Sequence, residues 1–233
     1  MTTYVDQDFT AANGSAPANL MMGRNPTAGG GVSVQSNKAR FSTGSTGGYS
    51  DNSRVSRTVT VDGTTPLSLT DAVVELEFTP GANEKYPEII LRCSQSTGYN
   101  GANGYLFQMF HPDVIRIEKT VAYSFNLLTS ASWTWTPGTP YFIRAQASGS
   151  SLKMWVTTTL PFGSPILETT DSSLTAAGFV VLNVNGGSAA ASTTTDFDDL
   201  VVMDSLSSPI GPLLLSNGTP LRLSNTHPLE LTG

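Results

Sequence analysis

This chain of 233 residues predicts an all-β fold, in which two antiparallel sheets pack as a β-sandwich or a jelly roll. Short alternating apolar runs rich in Val, Ile, Phe, Tyr and Thr recur along the chain. Clusters of Gly, Asn, Pro and Ser separate those runs, as turns do. A sustained helical periodicity with caps is absent from the sequence. Together these three observations favour a sandwich over any helical fold.

Twelve runs have the composition and alternation of strands. The predicted strands are Tyr4–Phe9, Val32–Val34, Ala39–Ser42, Ser56–Val61, Ala72–Phe78, Glu88–Ser94, Gly104–Phe110, Val114–Thr120, Tyr141–Ala147, Leu152–Thr158, Gly178–Asn183 and Asp198–Met203. Two hairpins are predicted among them. One turns at Ser148-Gly149-Ser150, and the other turns at His111-Pro112-Asp113. Since apolar and polar residues alternate along each hairpin strand, one face of the strand should be buried and the other exposed to solvent.

The sandwich is predicted to span residues 1–205, and a Pro/Leu tail with a repeat of eight residues follows in 206–233. Each of the three units places Pro-Leu-x-Leu before a Ser or Thr and an Asn or Gly, starting at Pro212, Pro220 and Pro228. Proline has no backbone donor and belongs at the start or edge of a strand. A short repeat buries its apolar residues only against neighbours. We therefore expect an assembly interface formed by the leucines Leu213, Leu215, Leu221, Leu223, Leu229 and Leu231.

Charge excludes one class of function. Charged residues make up 13% of the chain, the net charge is −6, and the 12 basic residues form no cluster. A nucleic-acid-binding protein needs a basic stripe, so that role is excluded.

The longest apolar stretches are far shorter than a membrane span, so no membrane insertion is expected. Met1-Thr2-Thr3-Tyr4 lacks the basic start and apolar run of a signal peptide.

Three patches of the sequence resemble concanavalin-like (laminin-G-like) jelly-roll domains over about residues 4–204. They are Asp8-Phe9-Thr10 with Asn13-Gly14-Ser15, the hairpin from Trp135 to Trp155, and the closing strands Ala177–Leu182 and Asp196–Val202. The resemblance implies the fold. It leaves function open, because this sandwich occurs in lectins, glycosidases, lyases and structural modules.

A concanavalin-like domain followed by a Pro-Leu repeat also resembles minor tail, fibre and decoration proteins of tailed bacteriophages. That resemblance implies a structural virion component without enzymatic activity, often a homotrimer, which binds other virion proteins and assembles in the host cytoplasm. Within it, a tail-tip or fibre position is favoured over capsid decoration. The alternative is a carbohydrate-binding module that recognises a host-surface glycan, and a polysaccharide-degrading enzyme is the third hypothesis.

Glycosidases need two carboxylates that face each other across a cleft. The Glu-x-Asp-x-x-Glu run that glycosidases of the resembled fold carry is missing here. Glu75 and Glu77 share one strand face and could act as acid and base. We instead expect them on a solvated outer face.

Lyases of this fold use Arg, Gln, His and Tyr, and the candidates Arg92, His111, Arg116 and Tyr123 do not have that motif's spacing.

Asp196, Asp198 and Asp199 form the richest acidic cluster. Oxygen ligands of this kind can hold calcium. The resemblance implies a partner acid near the first strand, for which Asp6 and Asp8 are the candidates. The interpretation that we favour is that Asp198 and Asp199 cap backbone groups where a strand starts. No cofactor or metal is therefore predicted.

Trp133 and Trp135 share a strand face and are possible glycan contacts, with one ring expected to be packed and the other partly exposed. Cys93 follows Ile89, Ile90 and Leu91, which favours a buried core thiol over a reactive nucleophile.

Overall fold

The computed structural model describes residues 1–24, 30–43, 54–81, 86–97, 102–110, 113–185 and 194–204. These ranges contain sixteen β-strands and no helix. Accordingly, this part of the chain has no helix long and apolar enough to cross a membrane. The predicted tail, including its six interface leucines, lies outside the described residues.

Sheet A has eight antiparallel strands. Its strands are β1 (Thr3–Gln7), β3 (Gly31–Gln35), β4 (Lys38–Ser42), β7 (Ala72–Pro80), β12 (Tyr141–Ser148), β13 (Ser151–Thr157), β14 (Leu167–Thr170) and β16 (Thr194–Met203). Their order is β14–β13–β12–β7–β16–β4–β3, and β1 also pairs with β16. The first and last described strands are therefore neighbours.

Sheet B also has eight antiparallel strands. They are β2 (Leu20–Arg24), β5 (Arg54–Val59), β6 (Ser68–Leu69), β8 (Tyr86–Cys93), β9 (Gly104–Phe110), β10 (Val114–Val121), β11 (Ser124–Ser132) and β15 (Gly178–Asn185). Their order is β11–β10–β9–β8–β15–β5–β2, and β6 pairs with β15. In both sheets a late strand, β15 or β16, lies between strands from earlier parts of the chain.

The hydrophobic core lies between the two sheets and takes alternate residues from each strand. On β7 the side chains of Val74, Leu76 and Phe78 point inward and are at most 2% exposed. Aromatic rings fill the centre: the rings of Phe78 and Tyr141 stack with their centroids 5.6 Å apart. This architecture confirms the predicted concanavalin-like jelly-roll sandwich.

A smaller apolar cluster lies on the outer face of sheet B. It contains Ile90, Cys93, Ala102, Leu106 and Val181. Cys93 is fully buried there, and burial raises the pKa of its thiol to about 11. The prediction of a buried thiol is confirmed, although Cys93 lies in this outer cluster and not between the sheets.

Both predicted hairpins are confirmed. β12 and β13 meet at Gly149, which has the left-handed φ of +52° that a tight turn needs. β9 and β10 pair from Gly104 to Thr120, while His111 and Pro112 lie outside the described residues. Four strands were not predicted: β2, β6, β11 and β14. β11 escaped prediction because its side chains are mostly exposed and a bulge at Leu128 breaks its alternation.

Candidate functional site

Two adjacent rows of side chains cross the outer face of sheet A. In one row, Phe142 on β12 is paired with Glu77 on β7, and Glu77 is paired with Asp198 on β16. In the next row, Arg144 is paired with Glu75. These residues alternate with core positions on their strands, so the packing of the core aims them all at the same surface. The predicted outer-face position of Glu75 and Glu77 is thus confirmed.

A groove of about 170 Å³ runs along these rows and is called here the sheet A groove. The loop after β13 lies beside it, and Trp155 anchors this loop because its Nε1 donates to the Gly163 carbonyl oxygen at 3.1 Å. The groove is lined by Asp6, Glu75, Leu76, Glu77, Phe142, Leu160, Phe162, Asp199 and Val201. It therefore combines four carboxylates with two aromatic rings.

Ion pairs hold both β7 carboxylates in place. Arg144 donates from Nε to Glu75 Oε1 at 2.7 Å, and its Nη2 lies 2.6 Å from the same oxygen. The Arg144 guanidinium also lies 4.3 Å from the ring centroid of Phe162. Lys38 donates to Glu77, and its Nζ lies 3.9 Å from Asp198 Oδ2. The groove therefore presents carboxylates whose positions are set before any ligand arrives.

β16 bulges where it enters the groove. Its register with β7 shifts between Asp198 and Val201, and Asp199 adopts a left-handed φ of +53°. The Asp199 amide donates to Asp198 Oδ1 at 2.9 Å, so Asp198 caps a backbone group, but at a bulge within β16 and not at the start of the strand. Burial, with the like charges of Asp199 and Glu77, raises the pKa of Asp198 to about 6. The nearby Lys38 only partly opposes this shift.

The acidic cluster does not come together as a calcium site among the described residues. Arg40 binds Asp196 through two hydrogen bonds, Nε to Oδ1 at 2.7 Å and Nη2 to Oδ2 at 2.8 Å. Asp6 and Asp199 line the groove, whereas Asp8 does not. In this part of the chain, no group of three or more His, Cys, Asp or Glu side chains is arranged to hold a metal ion.

The outer face of sheet B carries a different arrangement, called here the polar row. Arg116, Gln108, Glu88 and Asn183 align across four neighbouring strands. Glu88, 2% exposed, accepts from Gln108 Nε2 at 2.8 Å and from Asn183 Nδ2 at 2.6 Å. Arg116 Nε donates to Gln108 Oε1 at 2.5 Å. Burial raises the pKa of Glu88, although the charge of Arg54 and these hydrogen bonds oppose the shift.

Sequence reasoning missed the polar row. Its signal is a lone polar residue within an apolar strand: Glu88 precedes Ile89 and Ile90, and Asn183 lies between Leu182 and Val184. Such a residue is buried only when partners satisfy its polar atoms. The structure supplies those partners for Glu88, while Asn183 Oδ1 is buried without a hydrogen bond.

The residues weighed for a lyase do not converge. Arg92 is buried at one end of the sandwich, where it donates to the carbonyl oxygens of Thr70, Leu174 and Gly149. Arg116 belongs to the polar row, and Tyr123 is 65% exposed in the β10–β11 turn. His111 lies outside the described residues.

Trp135 is 4% exposed and packs in the core, with its ring 5.1 Å from that of Phe78. Trp133 is partly buried against the same core, 5.9 Å from Trp135. One ring is thus packed and the other partly exposed, as the sequence indicated. Burial removes Trp135 as a glycan-stacking surface, and a glycan contact at Trp133 stays a prediction.

Comparison with known proteins supports the fold. No family model and no curated protein sequence matches the chain. Solved structures do match. The carbohydrate binding module CBM66 from Bacillus subtilis aligns with a TM-score of 0.55 and 16% identity, over 77% of this chain and 97% of the module. A Bacillus licheniformis β-glucanase aligns with a TM-score of 0.57 and 11% identity, over 88% and 99% of the two chains.

The exoplasmic/lumenal domain of VIP36, solved in a Ca²⁺/Man3GlcNAc-bound form, aligns with a TM-score of 0.56 and 10% identity. The match covers 78% of this chain and 84% of that domain. At these identities the likeness establishes the jelly-roll fold alone. Because binding modules and glucanases both share this fold, the expected lack of enzymatic activity stays a prediction.

Proposed function

We propose that this protein is a carbohydrate-binding domain and that the sheet A groove is its glycan site. One observation carries the proposal: carboxylates held in fixed positions by ion pairs lie beside the rings of Phe142 and Phe162 in an open groove. Sugars offer hydroxyl donors to carboxylates and apolar C–H faces to aromatic rings. The groove meets both needs on one surface.

The charge of the groove restricts the glycan. Asp6, Glu75, Glu77 and Asp199 line it, and Arg144 and Lys38 are the cations paired with its β7 carboxylates. An acidic polysaccharide would meet like charge there and across a protein of net charge −6. The ligand class is therefore a neutral glycan. Solved structures of similar fold support a binding role, since they include a carbohydrate binding module and a domain with Man3GlcNAc bound.

A binding function without hydrolysis agrees with the arrangement of Glu75 and Glu77. Glycosidases use two carboxylates, one to donate a proton and the other to attack or to activate water. Glu75 and Glu77 lie outside any Glu-x-Asp-x-x-Glu run of the kind that glycosidases of similar fold carry, and each is already paired with a cation. We expect no release of reducing ends when the protein is incubated with any glycan that it binds.

The test is a screen of neutral and charged oligosaccharides, followed by calorimetric titration of the best ligand. Phe162→Ala and Glu77→Gln should each weaken binding about tenfold or more, which corresponds to about 1.4 kcal/mol. The control is Glu168→Gln, because Glu168 pairs with Lys153 on the same sheet but does not line the groove. If both groove variants bind the glycan as tightly as the wild type does, the glycan site does not lie in the sheet A groove.

A second candidate function is the one favoured by the Pro-Leu repeat: a structural protein of a tailed-bacteriophage virion, in the tail tip, fibre or capsid decoration, assembled as a trimer. It is compatible with glycan binding, since a virion protein can also contact a host surface. Light scattering of the full chain tests it. A trimer that falls to a monomer when Leu221, Leu223, Leu229 and Leu231 become Asp supports assembly through the tail. A monomer in both cases contradicts it.

A further inference from the structure

Arg144 contacts both kinds of group that the sheet A groove offers to a glycan. Its Nε and Nη2 lie 2.7 and 2.6 Å from Glu75 Oε1, and its guanidinium lies 4.3 Å from the ring centroid of Phe162. Arg144 itself is not among the residues that line the groove. It therefore acts on a ligand only through the carboxylate and the ring that it contacts.

The ring of Phe162 needs support from a neighbouring side chain because it belongs to the loop between β13 and β14. The loop returns to β13, where the Ile166 amide donates to the Met154 carbonyl oxygen at 2.8 Å. Trp155 Nε1 donates to the carbonyl oxygen of Gly163, the residue after Phe162. These two bonds fix the backbone of the loop, and neither acts on the Phe162 side chain.

The guanidinium of Arg144 supplies a contact with that side chain. It lies within cation–π distance of two rings, 4.3 Å from the centroid of Phe162 and 5.4 Å from that of Trp155. Trp155 is paired with Arg144 across β13 and β12 and is 6% exposed. A guanidinium stacks its flat face on a ring while its edge donates hydrogen bonds, and a lysine ammonium has no such face. Arg144 uses both properties at once.

Arg144 also determines which oxygen of Glu75 a ligand meets. Both of its contacts with the carboxylate are to Oε1. Within the described part of the chain, no group donates a hydrogen bond to Oε2. An ionised carboxylate accepts hydrogen bonds at both of its oxygens. Oε2 is therefore left to accept a sugar hydroxyl, in a position that the contacts at Oε1 fix.

Glu77, two residues along β7, provides an internal comparison. It also lines the groove and is also paired with a cation, Lys38. The second contact of Lys38 is with Asp198 Oδ2 at 3.9 Å, and among the described residues Lys38 contacts no aromatic ring. Removing the Lys38 charge thus frees a groove carboxylate without affecting Phe162, which makes Lys38 the matched control for Arg144.

We propose that Arg144 is the positioning residue of the sheet A groove. It holds the Oε2 acceptor of Glu75 and the ring of Phe162 in one arrangement, so that a hydroxyl group and the C–H face of one sugar residue are recognised together. This role rests on the proposed glycan function of the groove. Recognition of both features at once selects a sugar by the direction of a hydroxyl group relative to its ring face, which is the difference between epimers.

The ring of Phe162 can be followed without any ligand. In full-length protein, 4-fluorophenylalanine at position 162 gives a fluorine NMR signal that depends on the groups around the ring. Arg144→Lys should move this signal towards its position in urea-unfolded protein, whereas the control Lys38→Met should leave it unchanged. The same signal position in the wild type and both variants overturns the positioning role. Urea unfolding should show that Arg144→Lys remains folded, because the ion pair that it alters is partly exposed.

Calorimetric titration measures the consequence for recognition. The probes are neutral oligosaccharides built from glucose, mannose or galactose, because mannose and galactose each differ from glucose in the direction of one hydroxyl group. Arg144→Lys should weaken binding of the preferred oligosaccharide about tenfold and of the other two less, so the ratio of affinities between sugars falls. Lys38→Met should weaken all three by a similar factor and keep the ratio. An Arg144→Lys variant with the wild-type ratio overturns the proposal.

These outcomes separate the role of Arg144 from the glycan function itself. If the wild type binds none of the three oligosaccharides, the proposed function is wrong and the role of Arg144 in recognition falls with it. If the wild type binds one of them and Arg144→Lys keeps both the affinity ratio and the fluorine signal, the glycan site stands and only the positioning role is wrong.

Discussion

The outer faces of the two sheets hold their carboxylates in opposite ways. On sheet A, Glu75 and Arg144 form an ion pair with side chains 25% and 21% exposed, beside an open groove. On sheet B, Glu88 is buried, accepts hydrogen bonds from the neutral amides of Gln108 and Asn183, and lies near the charge of Arg54. Removing one member of a partly exposed ion pair costs little stability, whereas a buried network loses its satisfied partners when one member is removed. Sheet A therefore presents positioned carboxylates to a ligand and depends little on them for stability, and the sheet B row is suited to hold the strands in register.

The largest expected difference between the faces is in stability. Glu88→Ala leaves the Gln108 and Asn183 amide donors buried without an acceptor, and should lower the free energy of unfolding by about 3 kcal/mol. Glu75→Ala removes a partly exposed pair and should cost less than about 1 kcal/mol. Urea unfolding of both variants measures the contrast. Equal losses would show that the two faces do not differ in this way.

A smaller effect is expected from Asp198, whose pKa of about 6 lies above its ordinary value of 3.8. Because the folded pKa is raised, the stability that the protonated group contributes is complete below about pH 4. It is lost as the pH rises towards 6. Relative to Asp198→Asn, the wild type should therefore lose on the order of 1–2 kcal/mol between pH 4 and pH 7.

Urea unfolding at several pH values checks this prediction. Asp62→Asn is the control, because hydrogen bonds from Thr65 and Thr64 lower the pKa of Asp62. The stability that Asp62 contributes is lost only as the pH falls below its ordinary range. The control difference should therefore be flat above about pH 5. If the free energies of unfolding of Asp198→Asn and the wild type change in parallel with pH, the pKa of Asp198 is not raised.

The smallest expected effect is the coupling within the groove. A double-mutant cycle of Glu75→Ala and Arg144→Ala should give about 0.5 kcal/mol, and less in 1 M NaCl because salt screens exposed charges. Chemical unfolding of the four proteins supplies the cycle. A coupling above about 2 kcal/mol would mean that the ion pair of Glu75 and Arg144 contributes as much to stability as the hydrogen bonds of the polar row.

The fold could be predicted because its strands alternate. Ala72 to Phe78 and Tyr141 to Ala147 put apolar side chains on one face, and the structure pairs these two strands. The outward position of Glu75 and Glu77 followed from the same alternation. Strands without this pattern escaped prediction, since exposed β11 and two-residue β6 bury too few side chains to show a period.

The candidate site was only partly predictable. Asp198 and Asp199 were singled out as a cluster, but the groove depends on Phe142 from β12 and Phe162 from a loop, which pairing and loop anchoring bring beside β7. The polar row depends on the register between Glu88, Gln108 and Asn183, which are up to 95 positions apart. The residue pattern within one strand does not show which residues of distant strands are paired, because that register is set by long-range contacts.

The position of β15 and β16 has a consequence for synthesis. β15 lies between β8 and β5 in sheet B, and β16 lies between β7 and β4 in sheet A. Each joins a group of strands made early on the ribosome to a group made later. Sheet B cannot be completed until residues near 185 have left the exit tunnel, and sheet A cannot be completed until residues near 203 have done so, so the earlier strands wait with open edges. Long-range pairing of this kind slows folding and exposes strands to other chains, so the newly made protein benefits from a chaperone until its last strands arrive.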